Sequence, residues 1–206
     1  MLNKEYWEKK HKESEGKFNR VTDFARLCYT NFMKRKGKVL DLCCGKGADS
    51  IFFHNKRFLV TAVDYSNEAI RQFNQIQKKY GIFISTLVKD ILEPLPFKSE
   101  SFDYVYSRLG LGYFTDEELK KIISEINRIL KKGGLIFIQV KSVNDVLYGK
   151  GKLIEKDMYE DETGYVRHFF SKEYAEELFS DYNILMIEER KIEQGSAYLE
   201  IVVEKK

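Results

Sequence analysis

The sequence predicts an α/β fold, a doubly wound mixed sheet of seven strands with helices on both faces and the last strand antiparallel. Three observations carry that expectation. Runs that are apolar almost throughout alternate with amphipathic stretches of helical period, the mark of a parallel sheet covered on both faces. The chain then changes character and ends on two strand-like runs flanking Gln194-Gly195-Ser196, which read as a hairpin. Its 206 residues, 43% hydrophobic and 14% aromatic, suffice for one well-filled core, so 1–206 reads as a single domain.

Each element has a local reason. Residues 1–36 read as two helices forming a cap ahead of the sheet. Lys34, Arg35 and Lys36 close the second helix before Gly37: cations complement the helix dipole, and glycine suits a left-handed cap. KVLDL at 38–42 is the first strand, with GADSIFFHNK as the short helix behind it. FLVTAVD at 58–64 is the second strand. Ser66 then stands as N-cap of a helix that aligns Ala69, Ile70, Phe73 and Ile76, with Gly81 as its stop. IFISTLVKD at 82–90 and SFDYVYS at 101–107 are the third and fourth strands. Thr115 and Glu118 have capping-box spacing and open a helix with Leu119, Ile122, Ile123, Ile126, Ile129 and Leu130 on one face. Gly133-Gly134 ends that helix, and LIFIQV at 135–140 is the fifth strand. Residues 142–170 have the least pattern. A helix at 171–179 precedes the hairpin, whose second run, about 197–204, is expected to oppose all other strands.

Composition narrows the class. The longest apolar runs fall far short of a membrane span, and MLNKEYWEKKHKE lacks the apolar stretch of a secretory signal. Three cysteines, two of them neighbours, argue against a disulfide framework. A soluble, cytoplasmic protein is the expectation. Net charge is +3, yet residues 1–60 hold 14 Lys and Arg against 7 Asp and Glu. That asymmetry could face an anionic partner, but helix-end chemistry at Lys34–Lys36 accounts for much of it first.

The chemistry begins at VLDLCCGKGADS, residues 39–50. A strand runs into a turn with Gly45 and Gly47, and a helix follows at once. Glycine lets backbone approach a ligand, and the helix N-terminus offers unpaired N–H groups. An ordinary strand-to-helix turn is the alternative for this fragment alone. Asp41 sharpens the signal, since a carboxylate on a buried strand is costly unless something polar uses it. Asp64 ends the second strand, where a carboxylate can accept both hydroxyls of a ribose. Asp90 ends the third strand, and Ile91 follows it; they suit the amino group and ring face of an adenine. Three acids at three successive strand ends beside a glycine loop form one constellation.

This constellation resembles the class I S-adenosylmethionine-dependent methyltransferases. The first motif of that family, V-L-D-[LIV]-G-[CSTA]-G-x-G, matches Val39, Leu40, Asp41, Leu42, Cys44, Gly45 and Gly47, while Cys43 replaces its first glycine. The family's acidic residues at the ends of strands two and three fall on Asp64 and Asp90. LEPLPFKSESFDYVYSR and RILKKGGLIFI resemble the segments entering strands four and five. The likeness covers roughly 37–140, and the terminal hairpin fits the reversed last strand of this Rossmann-like fold. It implies S-adenosyl-L-methionine as cofactor and S-adenosyl-L-homocysteine as product. It also implies a cofactor site drawn from Asp41, Cys43, Gly45, Gly47, Asp64, Tyr65, Asp90, Ile91, Ser107 and Trp7. Vicinal Cys43 and Cys44 find no second pair to complete a metal site, so none is expected.

A sulfonium methyl is already electrophilic, so the protein chiefly needs to align a nucleophile and exclude water. Candidate catalytic residues are Arg108 and Tyr113 after the fourth strand, and Tyr148 and His168 after the fifth. His168 could act as a base; alternatively it packs or caps ahead of the helix at 171–179. Tyr6 and Trp7 lie on a helix of the kind that family members fold over the cofactor; alternatively Trp7 packs in the core beside Phe18 and Phe24. SRLGLGYF stands where amino-methylating relatives carry N-P-P-Y, so a small-molecule acceptor is expected rather than a nucleic acid. The protein is expected as monomer or homodimer without a membrane partner. Residues 142–170 are the candidate lid over that acceptor, a solvated surface excursion being the alternative. Two other readings compete: a nicotinamide- or flavin-dependent oxidoreductase, and a non-catalytic cofactor-binding regulatory module. A dinucleotide fingerprint would want glycine at position 50, which is Ser50.

Overall fold

The computed structural model describes residues 4–16, 20–192 and 195–206, so the expectations placed on Phe18 and Gln194 lie outside the described residues. Five parallel strands form the centre of the sheet: β1 (Lys38–Leu42), β2 (Leu59–Asp64), β3 (Ser85–Val88), β4 (Phe102–Arg108) and β5 (Leu130–Ser142). They lie in the order β3-β2-β1-β4-β5, continued past β5 by the hairpin of β9 (Tyr182–Lys191) and β10 (Ala197–Lys205). β10 runs antiparallel to both β5 and β9. These seven strands are the doubly wound mixed sheet with one reversed strand.

Period two along the strands sends side chains to two separate cores. On one face, Phe24, Phe53, Phe73, Val39, Tyr106 and Phe137 join the helices α2 (Asp23–Asn31), α3 (Ala48–Asn55) and α4 (Asn67–Tyr80) to the sheet. On the other, Leu40, Leu42, Val105, Ile136 and Ile138 meet α5 (Asp116–Ile129) and α6 (Lys172–Leu178). A further helix, α1 (Lys4–Glu13), buries no residue fully and lies over the ligand end. Local chemistry sets the helix ends. The Ser66 hydroxyl accepts from Ala69 N–H, and Gly81 closes α4 at φ 64°. Thr115 and Glu118 exchange both bonds of a capping box at the start of α5.

Four boundaries differ from expectation, each for a tertiary reason. α2 stops at Asn31, because the N–H groups of Phe32 and Met33 both turn back to the Cys28 carbonyl; Lys34–Lys36 lie beyond it. Gly37 is no left-handed cap: a Cβ there would meet the Asp103 carboxylate at 2.7 Å. The third strand shrinks from 82–90 to Ser85–Val88, since Gln77 ties Ile82 and Ile84 to the end of α4. α5 ends at Ile129 rather than at the glycines, and β5 begins at once, with Leu130 opposite Phe102.

The weakly patterned 142–170 stretch is a small antiparallel sheet: β6 (Lys152–Glu155), β7 (Met158–Glu160) and β8 (Val166–Phe170). β8 joins the main sheet through two parallel pairs, Lys141 with Phe169 and Ser142 with Phe170. No helix among the described residues is long and apolar enough to cross a membrane.

Candidate functional site

A cavity of about 470 Å³ opens beyond the carboxyl ends of β1, β2 and β4, with Trp7 and His11 of α1 over it. Open parallel sheets hold ligands at this edge. The glycine loop forms its floor. Cys43, Gly45 and Gly47 all have left-handed φ, at 58°, 54° and 75°. Gly47 is the N-cap of α3, and a Cβ there would sit 2.2 Å from the Phe73 ring. Its glycine is therefore a packing requirement, and it does not line the cavity. Gly45 does line it, and a Cβ there would point into open space ending at His11 Cε1, 3.7 Å away. The cradle is room that a ligand can use.

Cys43, the residue in place of the motif glycine, holds a conformation that costs an ordinary residue about 1–2 kcal/mol. Its side chain abuts Gly110 in the 3₁₀ turn Gly110–Tyr113 after β4, where a Cβ would come within 2.3 Å of Cys43 Cβ. Loop and turn are thus fitted to each other. Burial pushes the thiols of Cys43 and Cys44 well up, which keeps them protonated and non-nucleophilic.

Three acids lie along the cavity. Asp64 accepts from Gly45 N–H at 2.8 Å and Ser66 N–H at 2.9 Å, which locks the end of β2 to the glycine loop. Burial pushes its carboxyl up to about 6, while those amide bonds pull it down. Asp41 accepts from Ser50 Oγ at 2.5 Å, and burial drives it far above the usual carboxylate range. Ser50, standing where a dinucleotide fingerprint wants its third glycine, is thus the partner of Asp41. Asp49 accepts from Thr22 N–H, Thr22 Oγ1 and Tyr106 Oη at 2.8, 2.9 and 2.7 Å. It straps the start of α2 to α3 and β4.

The roof is aromatic. Trp7 packs on Tyr113 at 5.4 Å between centroids and on Tyr165 at 6.0 Å, and the hydroxyls of Tyr113 and Tyr165 share a 2.6 Å hydrogen bond. α1 is docked by Glu8, which accepts from Ser66 Oγ and from Glu68 N–H, and by Gln72 Nε2 donating to the His11 carbonyl. Burial, with Lys46 nearby, lowers the His11 pKa, so the ring is neutral at pH 7. Trp7 Nε1 is buried without a hydrogen-bond partner among the described residues. An orphaned donor, an open glycine cradle and an ionisable carboxylate suit a polar, nucleoside-bearing ligand. The residues present fit S-adenosylmethionine.

Trp7, Asp41, Cys43, Gly45, Asp64, Tyr65, Arg108 and Tyr113 line this cavity together. Others expected there do not. The Ser107 hydroxyl is buried and donates to the Leu42 carbonyl. Asp90 accepts from Leu92 N–H, and Ile91 belongs to the core of the α5 face. Tyr148 lies on the surface and donates to Asp157. His168 is 3% exposed, its Nδ1 3.0 Å from the Phe114 carbonyl and its ring against Phe170 and Tyr174. Neither Tyr148 nor His168 lines the cavity. Sequence reasoning missed His11, Arg20, Thr22, Lys46, Asp49 and Tyr106, all of which line it. Thr22 had a readable signal: an N-cap threonine before DFARL whose hydroxyl accepts from Ala25 N–H. Among the described residues no group of three or more His, Cys, Asp or Glu is placed to hold a metal ion.

Comparison with known proteins agrees with this geometry. Residues 39–134 match the model of a methyltransferase domain. An uncharacterized methyltransferase of Synechocystis is 30% identical over 62% of this chain and 58% of its own length. A demethylmenaquinone methyltransferase of Leptospira interrogans is 36% identical over 47% of this chain and 40% of its own. The chain thus spans about half the length of these curated relatives. Among solved structures, a Pyrococcus horikoshii protein superposes with a TM-score of 0.75 and 25% identity, covering 89% of each chain. A didemethyltoxoflavin N1-methyltransferase of Burkholderia thailandensis, solved with its acceptor and S-adenosylhomocysteine, has a TM-score of 0.81 at 16% identity, covering 100% of this chain and 88% of its own, and shares the fold. With the glycine loop and the sheet order β3-β2-β1-β4-β5-β10-β9, these matches make the chain similar to the class I S-adenosylmethionine-dependent methyltransferases, over residues 39–134 above all.

Proposed function

We propose that this protein transfers the methyl group of S-adenosylmethionine to a small-molecule acceptor. The observation that carries the reading is Asp64, a buried carboxylate at the end of β2 bonded to the glycine loop and facing a 470 Å³ cavity. In this reading Asp64 accepts the ribose hydroxyls, with Tyr65 beside it. Asp41, Cys43, Gly45 and Gly47 shape the loop, while Asp90, Ile91 and Ser107 support its flank. Trp7 supplies its unpartnered indole N–H and closes the roof. Bound there, the cofactor supplies a methyl group made electrophilic by its sulfonium.

The chain's own contribution is alignment and exclusion of water. Trp7, Tyr113 and Tyr165 pack into an aromatic wall that would exclude water from the bound cofactor and acceptor and hold them rigidly. Burial pushes the Tyr113 hydroxyl well up, and a guanidinium stays charged, so neither Tyr113 nor Arg108 serves as a base at pH 7. Neutral His11 is the lining group suited to take a proton. The Burkholderia neighbour is solved with a small heterocycle and S-adenosylhomocysteine, which supports a small acceptor here. The packing of Tyr165 on Trp7 and Tyr113 supports residues 142–170 as the lid over the acceptor rather than a solvated surface excursion. A cytoplasmic monomer or homodimer with its three thiols free fits this reading.

Calorimetric titration with S-adenosylhomocysteine, NAD and FAD tests the cofactor assignment. Binding of the first alone is expected; binding of NAD or FAD without it sinks the proposal. A methyl-donor consumption assay against a metabolite panel then finds the acceptor.

A further inference from the structure

A polar row crosses the sheet from β10 and ends at the cavity. Arg108 on β4, Gln139 on β5 and Glu200 on β10 are direct neighbours on three adjacent strands. Arg108 Nε donates to Gln139 Oε1 at 3.0 Å, and Gln139 Nε2 donates to Glu200 Oε1 at 2.7 Å. Gln139 and Glu200 are 5% and 3% exposed, among neighbours such as Phe137, Leu199 and Ile201. A carboxylate only accepts, so Glu200 obliges Gln139 to give it the NH₂ group and to turn its oxygen on Arg108. Apolar residues would fill this row at lower desolvation cost. What the row achieves is a guanidinium of fixed orientation at the ligand edge.

Among the described residues the terminal nitrogens of that guanidinium make no hydrogen bond. Among the described residues no carboxylate pairs with Arg108, although it lines a cavity that also holds Asp41, Asp49 and Asp64. Each of those acids is engaged elsewhere, by Ser50, by Thr22 and Tyr106, and by the amides of Gly45 and Ser66. The lining cations, Arg20, Lys46 and Arg108, equal the acids in number. S-adenosylmethionine adds one net positive charge, so the loaded cavity carries an excess that an anionic acceptor neutralises. The planar fork of arginine fits a carboxylate bidentately. Beside it stands the aromatic wall of Trp7 and Tyr113, their centroids 5.4 Å apart.

Resting on the methyltransferase reading above, we propose that the acceptor is a planar aromatic carboxylate. Arg108 grips its carboxylate, and Gln139 and Glu200 act as positioning residues. The probes are 4-hydroxybenzoate, 4-hydroxycinnamate and indole-3-acetate, each paired with its neutral carboxamide, titrated calorimetrically into protein saturated with S-adenosylhomocysteine. At least one acid should bind about tenfold or more tighter than its amide, as loss of a charge-assisted pair requires. Arg108→Met should bring that acid down to the level of its amide, and Arg108→Lys should recover part of the difference. Gln139→Leu should weaken the acid severalfold and leave the amide unchanged, a split that a merely structural role does not produce. Should no acid bind at about 10 mM, or acids and amides bind alike, the proposal is wrong. It is equally wrong if Arg108→Met weakens S-adenosylhomocysteine itself tenfold, since the guanidinium then holds the cofactor's own carboxylate. Failure of wild-type protein to bind S-adenosylhomocysteine overturns the methyltransferase reading instead, and this proposal with it.

Discussion

Asp64 concentrates the chemistry of the cavity in one carboxyl group, and its titration has two opposite consequences. Burial raises its folded pKa from 3.8 to about 6, so the protonated form is the one the fold favours. Its contribution to stability is complete below pH 3.8 and is lost as pH rises through 6. Ligand binding runs the other way, because ribose hydroxyls donate and need the ionised carboxylate. S-adenosylhomocysteine affinity should therefore fall as pH drops below 6, and in Asp64→Asn that dependence should flatten. Hydrogen bonds to a charged acceptor contribute about 1.5–3 kcal/mol each, so Asp64→Ala should weaken binding roughly tenfold or more. Calorimetry at pH 5, 6 and 8 on all three proteins reads both outcomes, and an unchanged dissociation constant in the folded Ala variant refutes the assignment. Asp64 and the glycine loop were legible in the sequence because both answer to local rules, a strand end and a tight turn. Asp49 was not, because its partners Thr22 and Tyr106 are 27 and 57 residues away.

Among elements, α1 and the β6–β8 insert depend on each other. Tyr165, just before β8, stacks on Tyr6 at 4.6 Å and also touches Trp7 and Tyr113. Aromatic pairs contribute about 0.5–1.5 kcal/mol each beyond burial. Tyr165→Ala loses two such pairs to α1, which lowers the cost of undocking it by about 1–3 kcal/mol. Trypsin should then cut at Lys9, Lys10 or Lys12 at least about fivefold faster, and S-adenosylhomocysteine should suppress the cutting less well than in wild type. Equal cleavage rates would show that the insert does not hold α1 down. The helices α4 and α5 were readable from their caps and faces. The insert was not, because strands of three to five residues with exposed Leu153 and Ile154 carry no clear alternation. His168 shows the same limit: nothing local distinguishes a base from a ring that caps the Phe114 carbonyl.

On the scale of the whole molecule, both cores share one sheet and the cavity spans its ligand edge, so binding and global stability are linked. At about a hundred times its dissociation constant, a ligand of the native state adds about 2.7 kcal/mol. For a chain of this size that is a rise in Tm of roughly 5–10 °C. S-adenosylhomocysteine should produce such a shift in differential scanning fluorimetry and NAD none; the reverse pattern would contradict the cofactor assignment. The mixed sheet with its one reversed strand was legible from alternation and the terminal hairpin, whereas the end of α2 and the length of β3 were set by Cys28 and Gln77, contacts that no periodicity encodes.

The attachment of β8 to β5 has a consequence for inheritance. The cofactor half of the cavity is encoded mainly in one continuous stretch, 38–66, with its ladder partners in the core sheet. Tyr165, which packs on Trp7 and Tyr113 at the roof, comes from an insert whose backbone ladder meets that sheet at two residue pairs, Lys141 with Phe169 and Ser142 with Phe170. Rewriting 143–164 leaves every rung between β1, β2 and β4 in place. A lineage can thus edit one insert, and with it the aromatic contact at the roof, without disturbing the strands that carry the glycine loop and Asp64.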